Sequence, residues 1–261
     1  MLPDTSARYD ERMEQDRHTG AGKRVAFFGG SFDPPHLGHL AVARAARAAL
    51  ALDTVIFAPV GAQPLKPKGS IASFEDRVAM TRLAIAADAG FVVSLADAPN
   101  QAGKPNFTCE TLEVLRGELP ADGALFCLMG ADSFFGLRGW HRAAEIPFVA
   151  PLIVASRPGK RPEHWIAGLR KALPAGLEIE AAFETDGVKS EVEVRAYVLR
   201  NSAGESAPLY LLPGLHVEIS ASEIREQVRE GEGEQLAGSA AGRALLPAAV
   251  FEYIRSHGLY R

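Results

Sequence analysis

Apolar and polar positions fall into two alternating patterns along the 261 residues. The first is a short, unbroken apolar run with few flanking charges: Arg24–Phe28, Thr54–Ala58, Phe91–Leu95, Leu125–Met129 and Leu152–Ala155. Runs this short, rich in β-branched and aromatic residues, predict strands buried on both faces. The second is a longer amphipathic or alanine-rich stretch between those runs. One such stretch reaches to about Leu50, one follows Ser73, one starts at Thr108 and one covers Pro162–Leu173. Ser73 predicts an N-cap with Asp76 as its partner, and Thr108 predicts the N-cap of CETLEVLRGEL. After Ser73, Phe74, Val78, Met80, Leu83 and Ile85 read as the core side of a structural helix. Strands alternating with helices predict an α/β fold: a doubly wound, mostly parallel, Rossmann-like sheet with helices on both faces. Ligands of such sheets bind at the carboxyl ends of the strands.

One region departs from this rhythm. From Glu191 to Arg200 the alternation is strict, with Val192, Val194, Ala196 and Val198 on one side and Glu191, Glu193, Arg195 and Tyr197 on the other. That is a half-exposed antiparallel strand, turned by NSAGES into PLYLL, so residues 178–212 read as a β-hairpin insertion. An edge decoration and a homo-oligomer contact both fit it. The ending LLPAAVFEYIRSHGLYR predicts a structural C-terminal helix over 247–258, with Pro247 in its first turn and Gly258 at its stop.

Composition changes the picture little. Hydrophobic residues make up 47%, enough for one sizeable core, and the formal net charge is −4, which argues against a nucleic-acid partner. Cys109 and Cys127 form no C-x-x-C pair and read as buried thiols of a reducing compartment. No apolar run approaches the ~20 residues of a membrane span, and residues 1–22 are polar throughout, a disordered extension rather than a signal peptide. The expected setting is cytoplasmic, the unit a single domain over 23–261.

The candidate chemistry concentrates in VAFFGGSFDPPHLGHL. A strand runs into Gly29 and Gly30, then Ser31, Phe32, Asp33 and two prolines, then His36 and His39 at the opening of a helix. Glycines permit positive φ and close approach of a ligand; prolines delay the helix; residues three apart share a helix face. The free N–H groups of that helix start favour an anion, so the stretch points to phosphate. A second cluster is ISASEIR. Ile219 leads into Ser220, a helix cap, while Ser222 and Arg225 share one face of its first turn, a hydroxyl and a guanidinium suited to clamp phosphate. Further candidates stand at strand ends: Lys66 and Lys68 in a basic loop, Gly130 and Asp132 after LFCLM, Arg157 after LIVA, and Trp140 in a loop. P-loop and G-x-G-x-x-G patterns are absent.

GGSFDPPHLGH resembles the signature of the HxGH nucleotidyltransferase superfamily. NFTCETL, GADSFFGLRGW, SRPG, ISASEIR and the LLPAAVFEYIRSHGLYR ending narrow the resemblance to bacterial nicotinate-nucleotide adenylyltransferases, in that family's order. The resemblance implies transfer of AMP from ATP to nicotinate mononucleotide, giving nicotinate adenine dinucleotide and pyrophosphate. It implies His36, His39 and Arg225 as catalytic residues. Gly29, Gly30, Ser31, Phe32, Gly130, Asp132, Arg157, Ile219, Ser220 and Ser222 would complete the ATP site. Thr108 and Trp140 would hold the pyridine, through backbone N–H groups and ring stacking, with Lys66 or Lys68 facing the substrates. Mg²⁺ would be bound through the ATP phosphates, with no dedicated protein metal site. Other acceptors, nicotinamide mononucleotide or a pantetheine phosphate, and a non-catalytic nucleotide sensor are the competing readings.

Overall fold

A computed structural model describes residues 22–62, 69–100, 104–155, 168–183, 192–215, 219–230 and 244–261. The extension read at 1–22 lies outside the described residues except for Gly22, as do Lys66, Lys68, Arg157 and Glu191.

Each long apolar run forms a strand, in the order β1 (Arg24–Gly30), β2 (Thr54–Pro59), β3 (Phe91–Val93), β4 (Ala124–Gly130) and β5 (Leu152–Ala155). The helices between and after them are α1 (Leu37–Ala49), α2 (Phe74–Ile85), α3 (Thr108–Glu118), α4 (Ala131–Phe135) and α5 (Ile146–Val149), followed by α6, helical over 168–172. Then come β6 (Leu177–Phe183), β7 (Arg195–Asn201), β8 (Ser206–Leu212), α7 (Ala221–Arg229) and α8 (Ala248–Ser256). The strands form one sheet in the order β3-β2-β1-β4-β5-β8-β7-β6. All pairs from β3 to β8 are parallel; β7 runs antiparallel to both β8 and β6.

Strand periodicity sorts the core into two layers. Val25 and Phe27 of β1 face a layer with Cys109, Leu112 and Leu115 of α3, Phe134 of α4 and Ile146 of α5. Ala26 and Phe28 face the other, with Leu40, Ala43 and Ala46 of α1, Met80 of α2, Ile224 of α7 and Val250 of α8. The small alanines of α1 let that helix lie close to the strands. Ser73 caps α2 as expected: its hydroxyl accepts the Asp76 N–H (3.0 Å) and donates to the Asp76 carboxylate (2.7 Å). Leu83, expected in the core, is instead 37% exposed, because the buried side of α2 turns through Arg77 and Thr81.

The hairpin read in 178–212 is present: β7 turns into an antiparallel β8. The region also holds a third strand, β6, and β8 pairs in parallel with β5, so PLYLL is an interior member of the sheet and not an edge decoration. β7 keeps a half-exposed side, but not the side that the alternation marks: Tyr197 and Leu199 join one core layer, while across the strand Val198 is half-buried and Arg200 exposed. Val192 and Val194, just before it, pack on the other layer. Leu209 of β8 is fully buried. Leu209→Ala should therefore lower the unfolding free energy by about 2–5 kcal/mol, measured by urea titration; a loss under ~1 kcal/mol would return β8 to the status of an appendage.

Candidate active site

Six residues, 31–36, carry the chain from β1 into α1. The positive φ expected of Gly29 and Gly30 falls instead on Phe32, at +47°. The two glycines remain in the strand and serve close packing: a Cβ on Gly29 would stand 2.8 Å from the Phe27 ring, and one on Gly30 would stand 3.0 Å from the Phe32 ring. A phenylalanine in the left-handed region is strained and persists only where packing over-determines it. Here Phe32 is 2% exposed and lies edge-on to Phe28 and His39, with centroids at 5.7 and 5.0 Å.

The prolines delay α1 until Leu37, which leaves His36 at the N-cap and His39 in the first turn. Their rings stack at 3.7 Å and 27°, and the His36 N–H donates to His39 Nδ1 (3.1 Å). An Nδ1 that accepts leaves Nε2 to carry the proton. Burial, and then the neighbouring His36, hold His39 well below the ordinary histidine range, so the ring is neutral near pH 7.

Three side chains from elsewhere in the fold, those of Arg77, Tyr260 and Arg225, hold this turn. Arg77 of α2 is 2% exposed, and its guanidinium donates to the carbonyls of Ser31 (2.7 Å) and Val60 (2.8 Å). The Asp33 carboxylate accepts the N–H groups of Ile71 (2.7 Å) and Ala72 (3.1 Å) and the Tyr260 hydroxyl (2.7 Å). The Asp33 carbonyl accepts from Arg225 (2.6 Å), whose other terminal nitrogen donates to Ser222 Oγ (3.2 Å). Ser220 caps α7 by accepting the Ser222 N–H (3.2 Å). Ser222 and Arg225 thus share one face, as their spacing predicts, 192 residues beyond the turn they meet.

One cleft of about 1030 Å³ gathers most of the predicted residues. Gly29, Gly30, Ser31, Phe32, His36, His39, Gly130, Asp132, Ile219, Ser220, Ser222 and Arg225 line it, and so do Thr108 and Trp140. Gly130 ends β4 and caps α4, so its neighbours' N–H groups open towards the cleft. Trp140 packs its inner side on the core beneath α3. Helix α3 corrects one detail: its cap position is Phe107, in extended backbone with no side-chain cap bond, and Thr108 is the first helical residue. Asn106 stitches the approach to α3 onto the loop after β2, accepting the Ala62 N–H (3.1 Å) and donating to Ala98 (3.0 Å).

Asp97, which no pattern in the sequence marks as a candidate, also lines the cleft. Its position just past a strand end was the available signal. The residue is 3% exposed; its carboxylate accepts the Thr111 hydroxyl from α3, and its carbonyl accepts the Gly61 N–H (2.7 Å). Cys109 and Cys127 are free and buried, and burial pushes the Cys127 thiol up to about 12, which leaves it no nucleophile.

Fold and cleft together define an α/β protein with a cleft at the carboxyl edge of a parallel sheet. Residues 27–227 match the cytidylyltransferase-like family. A probable nicotinate-nucleotide adenylyltransferase of Gloeobacter violaceus is 35% identical over 241 residues, covering 92% of this chain and 97% of the relative. Its counterpart in Aeromonas hydrophila is 37% identical over 238 residues, covering 91% and 97%. The nicotinic acid mononucleotide adenylyltransferase of Plasmodium falciparum, solved with NaAD, shares the fold at a TM-score of 0.58 and 15% identity, over 91% of this chain and 97% of that one. The chain belongs to the cytidylyltransferase-like family and, within it, to the nicotinate-nucleotide adenylyltransferases.

Burial raises the Asp97 carboxyl to about 6 from an ordinary 3.8. Between those values the folded chain keeps a proton that the unfolded chain has lost, so stability falls as pH rises from about 4 to about 6. At ~1.4 kcal/mol per unit the loss is about 3 kcal/mol. Asp97→Asn should melt higher than the parent at pH 7.5, with the gap closing near pH 4; a gap independent of pH would contradict the raised carboxyl.

Proposed function

We propose that the chain transfers the AMP moiety of ATP to nicotinate mononucleotide, releasing pyrophosphate and forming nicotinate adenine dinucleotide, a step of NAD biosynthesis. The observation that supports this most is the convergence in one cleft of the His36–His39 stack, the Ser222–Arg225 pair, Thr108 and Trp140.

An oxygen of the mononucleotide phosphate attacks the α-phosphorus of ATP; the new P–O bond forms in line as the bond to the β-phosphate oxygen breaks, and pyrophosphate leaves with that electron pair. The attacking group is already an anion, so no protein nucleophile is required, and catalysis rests on positioning and on stabilising charge. His36 and His39 face the phosphates. His39, held neutral by burial and by the adjacent His36, becomes a better base when a polyphosphate lies beside it, and a proton taken up there offsets the charge that develops. Arg225 and Ser222 hold the β- and γ-phosphates, which depart together. Ser31, Gly130 and Asp132 complete the nucleotide's surroundings, with Arg157 a further phosphate contact and Lys66 or Lys68 a contact to the acceptor phosphate, all three outside the described residues. The start of α3 at Thr108 offers N–H groups to the pyridine carboxylate, and Trp140 stacks on the ring.

Mg²⁺ fits as a counter-ion carried by ATP. Both Asp33 oxygens are occupied by N–H groups and the Tyr260 phenol, and no group of three or more His, Cys, Asp or Glu among the described residues could hold a metal. Phosphate oxygens and water would supply its ligands, and the ion would offset part of the negative charge on ATP. Among the described residues no helix is long and apolar enough to cross a membrane, and the buried free thiols suit the cytoplasm.

Pyrophosphate release with ATP and Mg²⁺, measured in parallel with nicotinate mononucleotide, nicotinamide mononucleotide and phosphopantetheine, tests the reading. Release with the nicotinate compound alone is expected. Preference for another acceptor would overturn the pyridine pocket, and ATP binding without any release would overturn catalysis. His39→Ala should lower kcat about a hundredfold, or about 2.7 kcal/mol, with the fold intact. Trp140→Ala should raise KM for the mononucleotide far more than KM for ATP; equal effects would rule out stacking.

A further inference from the structure

Tyr260 stands outside the cleft, yet its hydroxyl reaches the phosphate-binding turn from the segment after α8. That segment is bent for the purpose. Gly258 takes φ +62° to stop α8, the Leu259 N–H returns to the Ile254 carbonyl (3.0 Å), and Tyr260 itself sits at φ +65°. A left-handed tyrosine is strained, and strain of this kind persists where a contact holds it. The contact is to Asp33 Oδ1 at 2.7 Å, with Tyr260 7% exposed. Burial and the adjacent Asp33 carboxylate keep the phenol protonated, so it stays a donor.

Asp33 is a junction. Its carboxylate binds the chain just before α2 through the Ile71 and Ala72 N–H groups, and its carbonyl receives Arg225 at 2.6 Å. Two prolines, both buried, separate it from His36, so a shift of Asp33 is passed on to the imidazole with little slack. We propose that Tyr260 is a positioning residue for the ATP phosphates: its hydroxyl fixes Asp33, and Asp33 in turn sets the placement of Arg225 and His36. This rests on the adenylyltransferase reading for its kinetic consequences only.

Tyr253 of α8 supplies the comparison. Its hydroxyl donates to the Asp76 carboxylate of α2 (2.9 Å), a similar clasp between the same end of the chain and a different partner, away from the phosphate turn. In the full chain, Tyr260→Phe should raise KM for ATP about tenfold and leave KM for nicotinate mononucleotide within about twofold, the size of effect one hydrogen bond to a charged group carries. Tyr253→Phe should lower the melting temperature by a similar amount and leave both KM values at the parent level. Parent kinetics in Tyr260→Phe, equal effects on both substrates, or the same kinetic change in Tyr253→Phe would each overturn the proposal.

Thermal shifts separate it from the reaction itself. The rise in Tm produced by saturating ATP with Mg²⁺ should be smaller in Tyr260→Phe than in the parent and in Tyr253→Phe, and a rise equal in all three would overturn the positioning role. The KM comparison is made in the cold if the variant is too unstable to assay warmer. A parent that binds ATP but releases no pyrophosphate would overturn the adenylyltransferase reading and leave the Tm comparison to decide on Tyr260.

Discussion

Everything in the cleft hangs on the hold exerted on six residues between β1 and α1. The turn must present two imidazoles to a ligand while removing them from water, and it contains a phenylalanine at positive φ. Left to itself, such a segment would relax. It is held by a cation and an anion from below: the Arg77 guanidinium grips the Ser31 and Val60 carbonyls, and the Asp33 carboxylate collects three donors. Burying a guanidinium is costly unless its protons are bonded, and Arg77 makes two short bonds while its Nε finds no partner among the described residues. Asp33 near it supplies the opposite charge that makes the burial tolerable. The two groups stabilise the turn and each other, which is why an apolar replacement for either could not do the same work.

The charge arrangement follows from that hold. Arg225 donates to a carbonyl and a hydroxyl and makes no ion pair among the described residues. Arg142, by contrast, spends its charge on two carboxylates, Glu113 and Glu145, at 2.7 Å each. Neutral acceptors orient a guanidinium without cancelling it, so Arg225 retains its attraction for an anion. The histidine pair is the complementary case. The two rings stack, with His36 buried and His39 half-buried, so both charges together would need a counter-ion, and His39 is kept neutral. In the function proposed, a polyphosphate answers both conditions at once: it is the anion that Arg225 lacks and the counter-ion that the imidazoles need.

How much of this was legible depends on the range of the interaction. The strands of the parallel core were readable because a strand buried on both faces must be apolar at every position, and Val25–Phe28 or Leu152–Ala155 can hardly be anything else. The His36–His39 and Ser222–Arg225 faces were readable because helix spacing is local. Arg77 was not: in sequence it is one charge inside an apolar helix face, and only the tertiary fold shows that Ser31 and Val60 point carbonyls at it. Tyr260 and Asp33, 227 residues apart, carry no local sign of their bond. The positive φ was placed on the glycines because glycine is the usual bearer; the structure uses them for clearance and gives the strain to Phe32, where aromatic packing can sustain it. Which side of β7 meets the core was not legible for a related reason. Alternation of charge reports solvent, whereas Glu193 and Arg195 pair with each other and leave Tyr197 to the core.

The antiparallel end of the sheet also belongs to the chemistry, through strand direction. The order reverses between β1 and β4, and the crevice outside the carboxyl ends of those strands is where Gly30, the histidine turn and Gly130 meet. For α7 to deliver Ser222 and Arg225 there, the strand before it must also end at that edge. From α6 the chain runs up β6, back down β7 and up again along β8, which joins β5 in parallel. Two reversals restore the direction of the parallel core, so Leu212 ends level with Ala155, and the short path onward reaches Ile219 at the rim of the cleft. A single hairpin in place of the three strands would leave the chain at the amino edge, on the wrong side of the sheet for Arg225 to meet Asp33. Among the described residues the extra strands therefore contribute none of their own to the cleft, but they fix the edge at which α7 begins.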